Sequence, residues 1–303
     1  MLDRVRAMLA DTFDVVGVAT DGQQALEIAR RLDPDAIVLD INMPRFDGFQ
    51  TMRALERMES RAAVVFLSLL NDDDHISEAF RLGGRAYVLK SRMVTDLAAA
   101  LDHVLVGRRF VPSLPALLHV SGGGGHAVHV HDDEESLANA IVWYFDVALH
   151  RGDATCLIAT EPIRERVAAR LQARGWDVDH SVGITRYRAI DTHAALDSLM
   201  RDGLPDDLRL LQIVDGLDEY RRTVCGDDAS SRLTIAGNMS SVVLEAGNAT
   251  AALAIERLWN THTKDRPFLT VCCHAMSSFS DQASDVWPMM ADEHSAVCCA
   301  NAI

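Results

Sequence analysis

The sequence predicts an α/β protein with two domains, each built around a parallel sheet. Short apolar segments alternate with segments of helical periodicity along most of the chain, which favours strands joined by helices. The chain has 303 residues, enough for two domains. Residues 113–125 are rich in Pro and Gly and have the composition of a flexible linker between residues 1–112 and 126–303.

The first domain is predicted to open with an amphipathic helix over residues 1–10. Apolar segments bounded by turn residues predict strands over residues 13–19, 36–39, 63–67 and 86–89. Helical spacing of apolar residues predicts helices over residues 23–32, 48–58, 74–82 and 94–106. This alternation indicates a parallel sheet with helices on both faces.

The second domain shows a similar alternation. Its clearest predicted strands are residues 154–159, 208–214 and 268–272. Its clearest predicted helices are residues 134–150, 163–173, 192–200 and 249–259. We therefore expect a second parallel α/β layer structure.

The composition argues against some classes of partner. The net charge is -15, and residues after 120 hold 27 acidic against 15 basic side chains, which opposes binding to nucleic acid. No apolar run reaches the 18 or so residues of a membrane helix, and the N-terminus does not resemble a signal peptide. We expect a cytoplasmic protein, so the six cysteines are expected to be thiols.

Asp40, Ser68 and Lys90 each follow a predicted strand of the first domain. Sites in open α/β sheets form at the carboxyl ends of the strands, so the three side chains are expected to converge. A carboxylate can act as a nucleophile, and a hydroxyl and an ammonium can contact phosphoryl oxygens. Lys90 is one of only two lysines in the chain. The three residues predict an acyl-phosphate site.

Four segments resemble CheY-like response regulator receivers of the NarL/LuxR subgroup: VVGVATDGQQALEIA, VLDINMPRFDG, FLS and AYVLKS. The resemblance covers residues 1–112 and implies a flavodoxin-like fold. It also implies that Asp40 is the phosphoacceptor, that Lys90 binds phosphate, and that Ser68 and Tyr87 form the switch. A sensor histidine kinase and a homodimer through the receiver are the implied partners.

The receiver resemblance has one departure. Receivers open with a strand that ends in two acidic residues and helps to bind Mg²⁺, and the present sequence contains no such segment. Asp40 and the backbone carbonyl of Asn42 remain as expected Mg²⁺ ligands. Either the start codon is misassigned or the receiver is degenerate, and we favour the first explanation because Asp40, Ser68 and Lys90 are all present.

Residues 126–303 resemble the MEDS domain, a methanogen/methylotroph sensory domain of DcmR-type regulators. The stretches that carry the resemblance are HAVHVHDDEESL, GNMSSVVLEAGNATAALAIERLWN and RPFLTVCCHAMSSF. The resemblance implies a RecA/KaiC-like α/β domain that senses a small molecule. Asn238 stands where many relatives have Glu, so the resemblance does not assign the role of that Glu carboxylate to Asn238.

Two features of the second domain leave other functions open. The stretch LRLLQIVD, ending at Asp215, is similar to an ATPase strand, but no GxxxxGK[ST] phosphate loop occurs in the sequence. His129 and His131 alternate on one face of a predicted strand that also holds His126, and we favour a structural cluster over a metal site. The same holds for a second group of soft-ligand residues, Cys272, Cys273, His274, His294, Cys298 and Cys299.

Together these observations predict a phosphorelay response regulator that is not an enzyme and has no DNA-binding output. A degenerate receiver that serves as a docking platform for a small-molecule-sensing domain is the main alternative. A RecA-like nucleotide-binding enzyme is the third hypothesis, and the missing phosphate loop weighs against it.

Overall fold

The computed structural model divides the chain into two compact units, Met1–Pro112 and Ser113–Ile303. It describes residues 2–43, 46–70, 73–111, 125–179, 185–226, 231–279 and 285–299. The predicted linker lies outside the described residues except for Gly125, which begins a strand. Both units are α/β, and the prediction of parallel sheets is confirmed.

The N-terminal unit is a parallel sheet with the order β1-β2-β3-β4. Its strands are β1 (Ala36–Asp40), β2 (Ala63–Ser68), β3 (Ala86–Leu89) and β4 (Arg109–Val111). Its helices are α1 (Leu2–Leu9), α2 (Gly22–Leu32), α3 (Gly48–Arg57), α4 (Asp73–Arg81) and α5 (Met93–Leu105). Lys90–Arg92 forms a 3-10 turn between β3 and α5.

Local sequence accounts for the helix starts around the sheet. Asp21 accepts a hydrogen bond from the backbone of Gln24 and caps α2. Asp47 and Gln50 form a reciprocal capping box at the start of α3. Each capping residue thereby sets the position at which its helix begins.

Residues 13–19 do not form the predicted strand. An apolar groove of about 440 Å³ lies between this segment and β1, lined by Val16, Val18, Ile37 and Leu39 among others. Among the described residues, β1 pairs with β2 alone. A strand needs a neighbour to satisfy its backbone hydrogen bonds, and the groove separates this segment from β1. The segment therefore forms no strand.

The C-terminal unit has a second parallel sheet, with the order β12-β5-β11-β10-β6-β7. The strands are β5 (Gly125–His131), β6 (Ala154–Ala159), β7 (Tyr187–Asp191), β10 (Leu233–Gly237), β11 (Phe268–Ala275) and β12 (Ala296–Cys299). A short antiparallel pair is formed by β8 (Met200–Arg201) and β9 (Leu204–Pro205).

Seven helices are described in the C-terminal unit. They are α6 (Glu134–His150), α7 (Glu161–Ala173), α8 (Thr192–Leu199), α9 (Asp207–Cys225), α10 (Met239–Glu245), α11 (Ala249–Thr263) and α12 (Val286–Asp292). Met276–Phe279 adds a 3-10 turn after β11. Trp259 and Phe268 are both buried in the core of this unit. No described helix is long and apolar enough to span a membrane.

The predicted strand at residues 208–214 is wrong, because this segment lies inside α9. Asp206 caps the helix by accepting from the backbone of Arg209. Leu210, Val214 and Leu217 are buried at helical spacing. Asp215 is therefore not at a strand end, and it pairs with Arg266 at 2.6 Å. The similarity to an ATPase strand has no structural support.

Candidate functional site

Three strand ends of the N-terminal unit meet at one edge of its sheet. Asp40 ends β1, Ser68 ends β2 and Lys90 directly follows β3. Because β2 lies between β1 and β3, the parallel registers bring the three positions to the same edge. The Lys90 ammonium donates to Asp40 Oδ2 at 2.7 Å, although the two residues are 50 positions apart. Both side chains are mostly buried, with 13% and 15% of their surface exposed.

The backbone after β1 holds the Asp40 carboxylate in place. The amide of Asn42 donates to Asp40 Oδ1 at 3.0 Å. The amide of Gly48 donates to the carbonyl of Ile41, which folds the start of α3 back onto β1. A Cβ at Gly48 would lie 2.5 Å from the carbonyl oxygen of Asp40, so this approach requires glycine. Both carboxylate oxygens of Asp40 are thus hydrogen-bonded.

Ser68 and Tyr87 meet the same backbone unit in the loop after β2. Ser68 Oγ accepts from the amide of Leu70 at 3.0 Å, and the Tyr87 hydroxyl donates to the carbonyl of Leu70 at 2.8 Å. Both side chains are fully buried. A displacement of Ser68 Oγ therefore changes the contacts of Leu70, and through them those of Tyr87.

The residues around Asp40 offer few oxygen ligands to a divalent cation. Asp40 supplies a carboxylate, and Asn42 is exposed beside it with a backbone carbonyl. Mg²⁺ in phosphate sites keeps several waters and uses one or two carboxylates together with the phosphate oxygens. Asp40 and Asn42 supply the smallest number of protein oxygen ligands with which such a Mg²⁺ site is built. Within the described chain, Asp40 belongs to no cluster of three or more metal-ligating side chains.

In the C-terminal unit, the structure separates the three histidines of β5. His129 and His131 lie on one face, as predicted, with ring centroids 6.4 Å apart. His126 lies on the other face and contacts Glu256, Cys272 and His294.

The cluster around His126 combines residues from both predicted histidine and cysteine groups. Cys272 and His294 belong to it. His274 Nε2 lies 3.2 Å from Ser240 Oγ and 3.7 Å from Glu256 Oε1, at the edge of the cluster, and Cys273 contacts its own strand backbone. The side chains of Cys298 and Cys299 lie outside the described part. Sequence reasoning missed Glu256, which lies in the segment LAIERLWN; a lone Glu among the apolar positions of a buried helix was the available signal.

The carboxylate of Glu256 is nearly inaccessible, with 1% of its surface exposed. Burial alone would raise the pKa of Glu256, but His294, His126 and His274 around it hold that pKa well below its usual range. Burial, and then the neighbouring His126, lower the pKa of His294.

Other predicted residues of the C-terminal unit have structural partners. Asn238 accepts from the Thr192 hydroxyl at 2.8 Å through Oδ1. This bond joins the end of β10 to the start of α8.

Comparison with known families identifies both parts of the chain. The family "Response regulator receiver domain" matches residues 1–102. The family "MEDS: MEthanogen/methylotroph, DcmR Sensory domain" matches residues 125–287.

Individual relatives match the N-terminal part. The nitrate/nitrite response regulator protein NarL of Escherichia coli (strain K12) is 35% identical over 99 residues, 33% of this chain and 46% of NarL. The transcriptional regulatory protein DegU of Brevibacillus brevis is 31% identical over 108 residues, 36% of this chain and 45% of DegU. The chain spans about half the length of these curated relatives.

A solved structure of the NarL signal receiver domain from Mycobacterium tuberculosis has 30% sequence identity and a TM-score of 0.34. The match covers 35% of this chain and 87% of that one. The chain described above belongs to the MEDS family through residues 125–287, and it carries a response regulator receiver domain at residues 1–102.

Proposed function

We propose that the protein is a two-component response regulator in which Asp40 accepts a phosphoryl group from a sensor histidine kinase. The observation that carries this proposal is the contact of 2.7 Å between Lys90 Nζ and Asp40 Oδ2 at the sheet edge. An ammonium beside the acceptor carboxylate is placed to neutralise the charge that a phosphoryl group brings. The receiver domain family at residues 1–102 supports the same assignment.

The transfer requires a carboxylate oxygen of Asp40 to attack the phosphorus of a phosphohistidine. The P–N bond to the kinase breaks and a P–O bond to Asp40 forms, which leaves the imidazole to take up a proton. Asp40 and the carbonyl of Asn42 are the residues that would hold Mg²⁺, and the ion would supply positive charge to the phosphoryl oxygens. Lys90 stays within reach of an oxygen of the new acyl phosphate.

In this proposal, Ser68 and Tyr87 couple phosphorylation of Asp40 to a conformational change in the receiver. A phosphoryl oxygen on Asp40 can accept a hydrogen bond from the Ser68 hydroxyl, and a shift of Ser68 Oγ towards it would lengthen the bond from the Leu70 amide. Losing the contact to Ser68 frees Leu70 to move, and the carbonyl of Leu70 is the acceptor for the Tyr87 hydroxyl. The loop after β2 and the surface around α4 are the bistable element in this proposal.

The output is a sensory domain in place of a DNA-binding domain. The MEDS match at residues 125–287 supports a domain that binds a small-molecule signal, and the acidic charge of this half opposes DNA binding. We propose a cytoplasmic signalling protein that turns over no substrate of its own. Phosphorylation alters receiver dimerisation or its contact with partner proteins.

A degenerate receiver that docks partners without phosphorylation is the second candidate. The observation that favours it is the small number of oxygen ligands around Asp40 in the described chain. The two candidates differ in whether Asp40 becomes phosphorylated.

The test is the intact mass of the full chain after incubation with acetyl phosphate and Mg²⁺. We expect one phosphoryl adduct on the wild type and none on Asp40→Ala. Glu27→Gln is the matched control, since it removes an exposed carboxylate of the same unit and should keep the adduct. Absence of the adduct from wild type under saturating Mg²⁺ would contradict phosphorylation and favour the docking platform.

A further inference from the structure

Four side chains of the C-terminal unit converge in its interior: His126, Glu256, Cys272 and His294. They come from the start of β5, from α11, from β11 and from the turn before β12. Each offers one ligand atom, and the four atoms all lie within 4.8 Å of one another. His126, Glu256 and His294 are buried, and Cys272 is partly buried.

The ligand atoms crowd around Glu256. Its Oε2 lies 3.2 Å from His126 Nε2, 3.4 Å from His294 Nε2 and 3.3 Å from Cys272 Sγ. His126 Nε2 lies 2.9 Å from Cys272 Sγ. Among the described atoms, His294 Nε2 and Glu256 Oε1 are buried without a hydrogen-bond partner. Buried polar atoms of a native interior are rarely left in that state.

The outer nitrogens of both imidazoles are held by acceptors. His294 Nδ1 lies 2.6 Å from the carbonyl oxygen of Met290, which can only accept, so Nδ1 carries the proton. His126 Nδ1 lies 2.8 Å from Asn260 Oδ1. The orientation of that amide is fixed because Asn260 Nδ2 donates to the carbonyl of Glu293 at 2.6 Å. Each imidazole therefore points its Nε2 at the carboxylate of Glu256, where an unprotonated Nε2 would present its lone pair.

Lone pairs that face a carboxylate oxygen repel one another unless a proton or a metal ion lies between them. A proton on one imidazole relieves the contacts of that ring alone, and the Cys272 thiol, which donates to Glu256 Oε2, relieves only its own contact. A metal ion accepts a lone pair from all four groups at once. Imidazoles oriented by an amide or a backbone carbonyl are the usual outer arrangement of histidine metal ligands.

We propose that His126, Glu256, Cys272 and His294 form a binding site for a single transition metal ion of the Zn²⁺ class. Two imidazole nitrogens, one thiolate and one carboxylate oxygen suit Zn²⁺, whereas Mg²⁺ prefers oxygen ligands alone. The dication balances the charges of the carboxylate and the thiolate, so the buried site becomes neutral.

The geometry requires little rearrangement. Tetrahedral Zn²⁺ with bonds of about 2.0–2.3 Å separates its ligand atoms by roughly 3.3–3.7 Å. The contacts of Glu256 Oε2 already fall near that range, and the sulfur of Cys272 has to move slightly away from His126. Four protein ligands leave no open position, which is the pattern of a structural or sensory site and not of a catalytic one.

The ion would join parts of the chain that are distant in sequence. It connects His126 at the start of β5 to Cys272 of β11, to Glu256 of α11 and to His294 in the segment that enters β12. Binding energy at such a site is folding energy, because the unfolded chain does not hold the four ligands together. We therefore expect chelation to loosen the C-terminal unit.

The test uses the full chain, stripped with a chelator and then loaded with Zn²⁺ or Co²⁺. We expect one Zn²⁺ per chain by mass spectrometry of the metal after dialysis. We also expect a thiolate-to-metal charge-transfer band with Co²⁺ and a higher melting temperature on loading. Cys272→Ser removes the band and lowers the Zn²⁺ association constant at least about 100-fold.

Cys273→Ser is the matched control, because Cys273 is the next residue and its sulfur contacts the carbonyl of Val271 and not the cluster. It should keep the band and the stoichiometry. Asn260→Ala touches no ligand position and should weaken Zn²⁺ binding about 10–100-fold in a chain that folds, so the proposal stays testable if Cys272→Ser does not fold. Less than one Zn²⁺ on wild type, or equal binding by Cys272→Ser and Cys273→Ser, would overturn the proposal.

Discussion

Gly48 fixes the position of the Asp40 backbone. A Cβ at this residue would lie 2.5 Å from the Asp40 carbonyl oxygen and 2.8 Å from the Ile41 Cα. Both neighbours are backbone, so the clash cannot be relieved by turning a side chain. The close approach of α3 to the end of β1 therefore depends on a residue without a side chain.

We predict that Gly48→Ala lowers the free energy of unfolding of the N-terminal unit by roughly 1–3 kcal/mol, because the backbone has to shift. It should also slow formation of the Asp40 phosphoryl adduct, since the loop that carries Asn42 moves with it. Urea unfolding and the intact-mass assay measure the two effects.

Gly216→Ala is the comparison for that variant. Gly216 lies inside α9, and a Cβ there meets nothing within 4 Å. Alanine favours helix over glycine, so we expect the C-terminal unit to gain up to about 1 kcal/mol. A loss of stability at Gly216, or none at Gly48, would contradict the steric argument.

Individual side chains differ in how far sequence reasoning could place them. Asp40 and Lys90 were predicted to converge because strand ends of a parallel sheet share one edge, and the structure joins them at 2.7 Å. Glu256 was missed because a helix face meets a sheet at a rotation that periodicity alone does not fix. Residues that directly follow a strand could thus be placed from the sequence, whereas a residue on a helix that packs against the sheet could not.

The strand β5 presents histidines of different character on its two faces. His126 faces the cluster with Glu256, whereas His129 faces away from it and stacks beside His131. Among the described residues, neither ring nitrogen of His129 has a hydrogen-bond partner. Burial, and then His131, lower the pKa of His129 from 6.5 to about 3.

This shift predicts acid sensitivity. As the pH falls below 6.5, the unfolded chain protonates His129 while the folded chain does not until about pH 3. Stability is therefore lost across this window by up to about 1.4 kcal/mol per pH unit, and His129 has no effect above it. We expect His129→Leu to flatten the pH dependence of the unfolding free energy of the C-terminal unit below pH 6.5.

His193→Leu serves as the control, because the His193 side chain is 66% exposed. Its profile should follow wild type. The measurement is chemical unfolding at a series of pH values, and an unchanged slope in His129→Leu would show that another group carries the acid response.

Element boundaries followed local patterns where those patterns were unambiguous. Glu134–His150 and Ala86–Leu89 form as predicted because periodicity, length and caps agree. Residues 208–214 are helical since a short apolar run fits a strand or a buried helix equally well. Residues 13–19 have strand composition but no partner across the groove, so composition did not determine their structure.

At the scale of the whole molecule, net charge is the property that bears most directly on binding to nucleic acid. The net charge is -15, and most of it lies after residue 120. Phosphate backbones repel such a surface, and nucleic-acid affinity comes largely from neutralising phosphates with basic residues.

We predict that the full chain gives no mobility shift of duplex DNA at about 50 mM salt, with or without acetyl phosphate, because its net charge of -15 opposes the phosphate backbone. A DNA-binding response regulator run in the same gel provides the positive control. Binding that weakens as salt rises would contradict the proposed output and would reveal a basic patch on the acidic protein.

The sequence by itself determined the alternation of strands and helices, the two α/β domains, the charge and the strand-end residues Asp40, Ser68 and Lys90. These properties depend on neighbours along the chain and on rules common to parallel sheets. Only the tertiary structure decided that His126, Glu256, Cys272 and His294 meet and that residues 13–19 lack a strand partner. Those outcomes depend on how elements far apart in sequence pack, which no local pattern encodes.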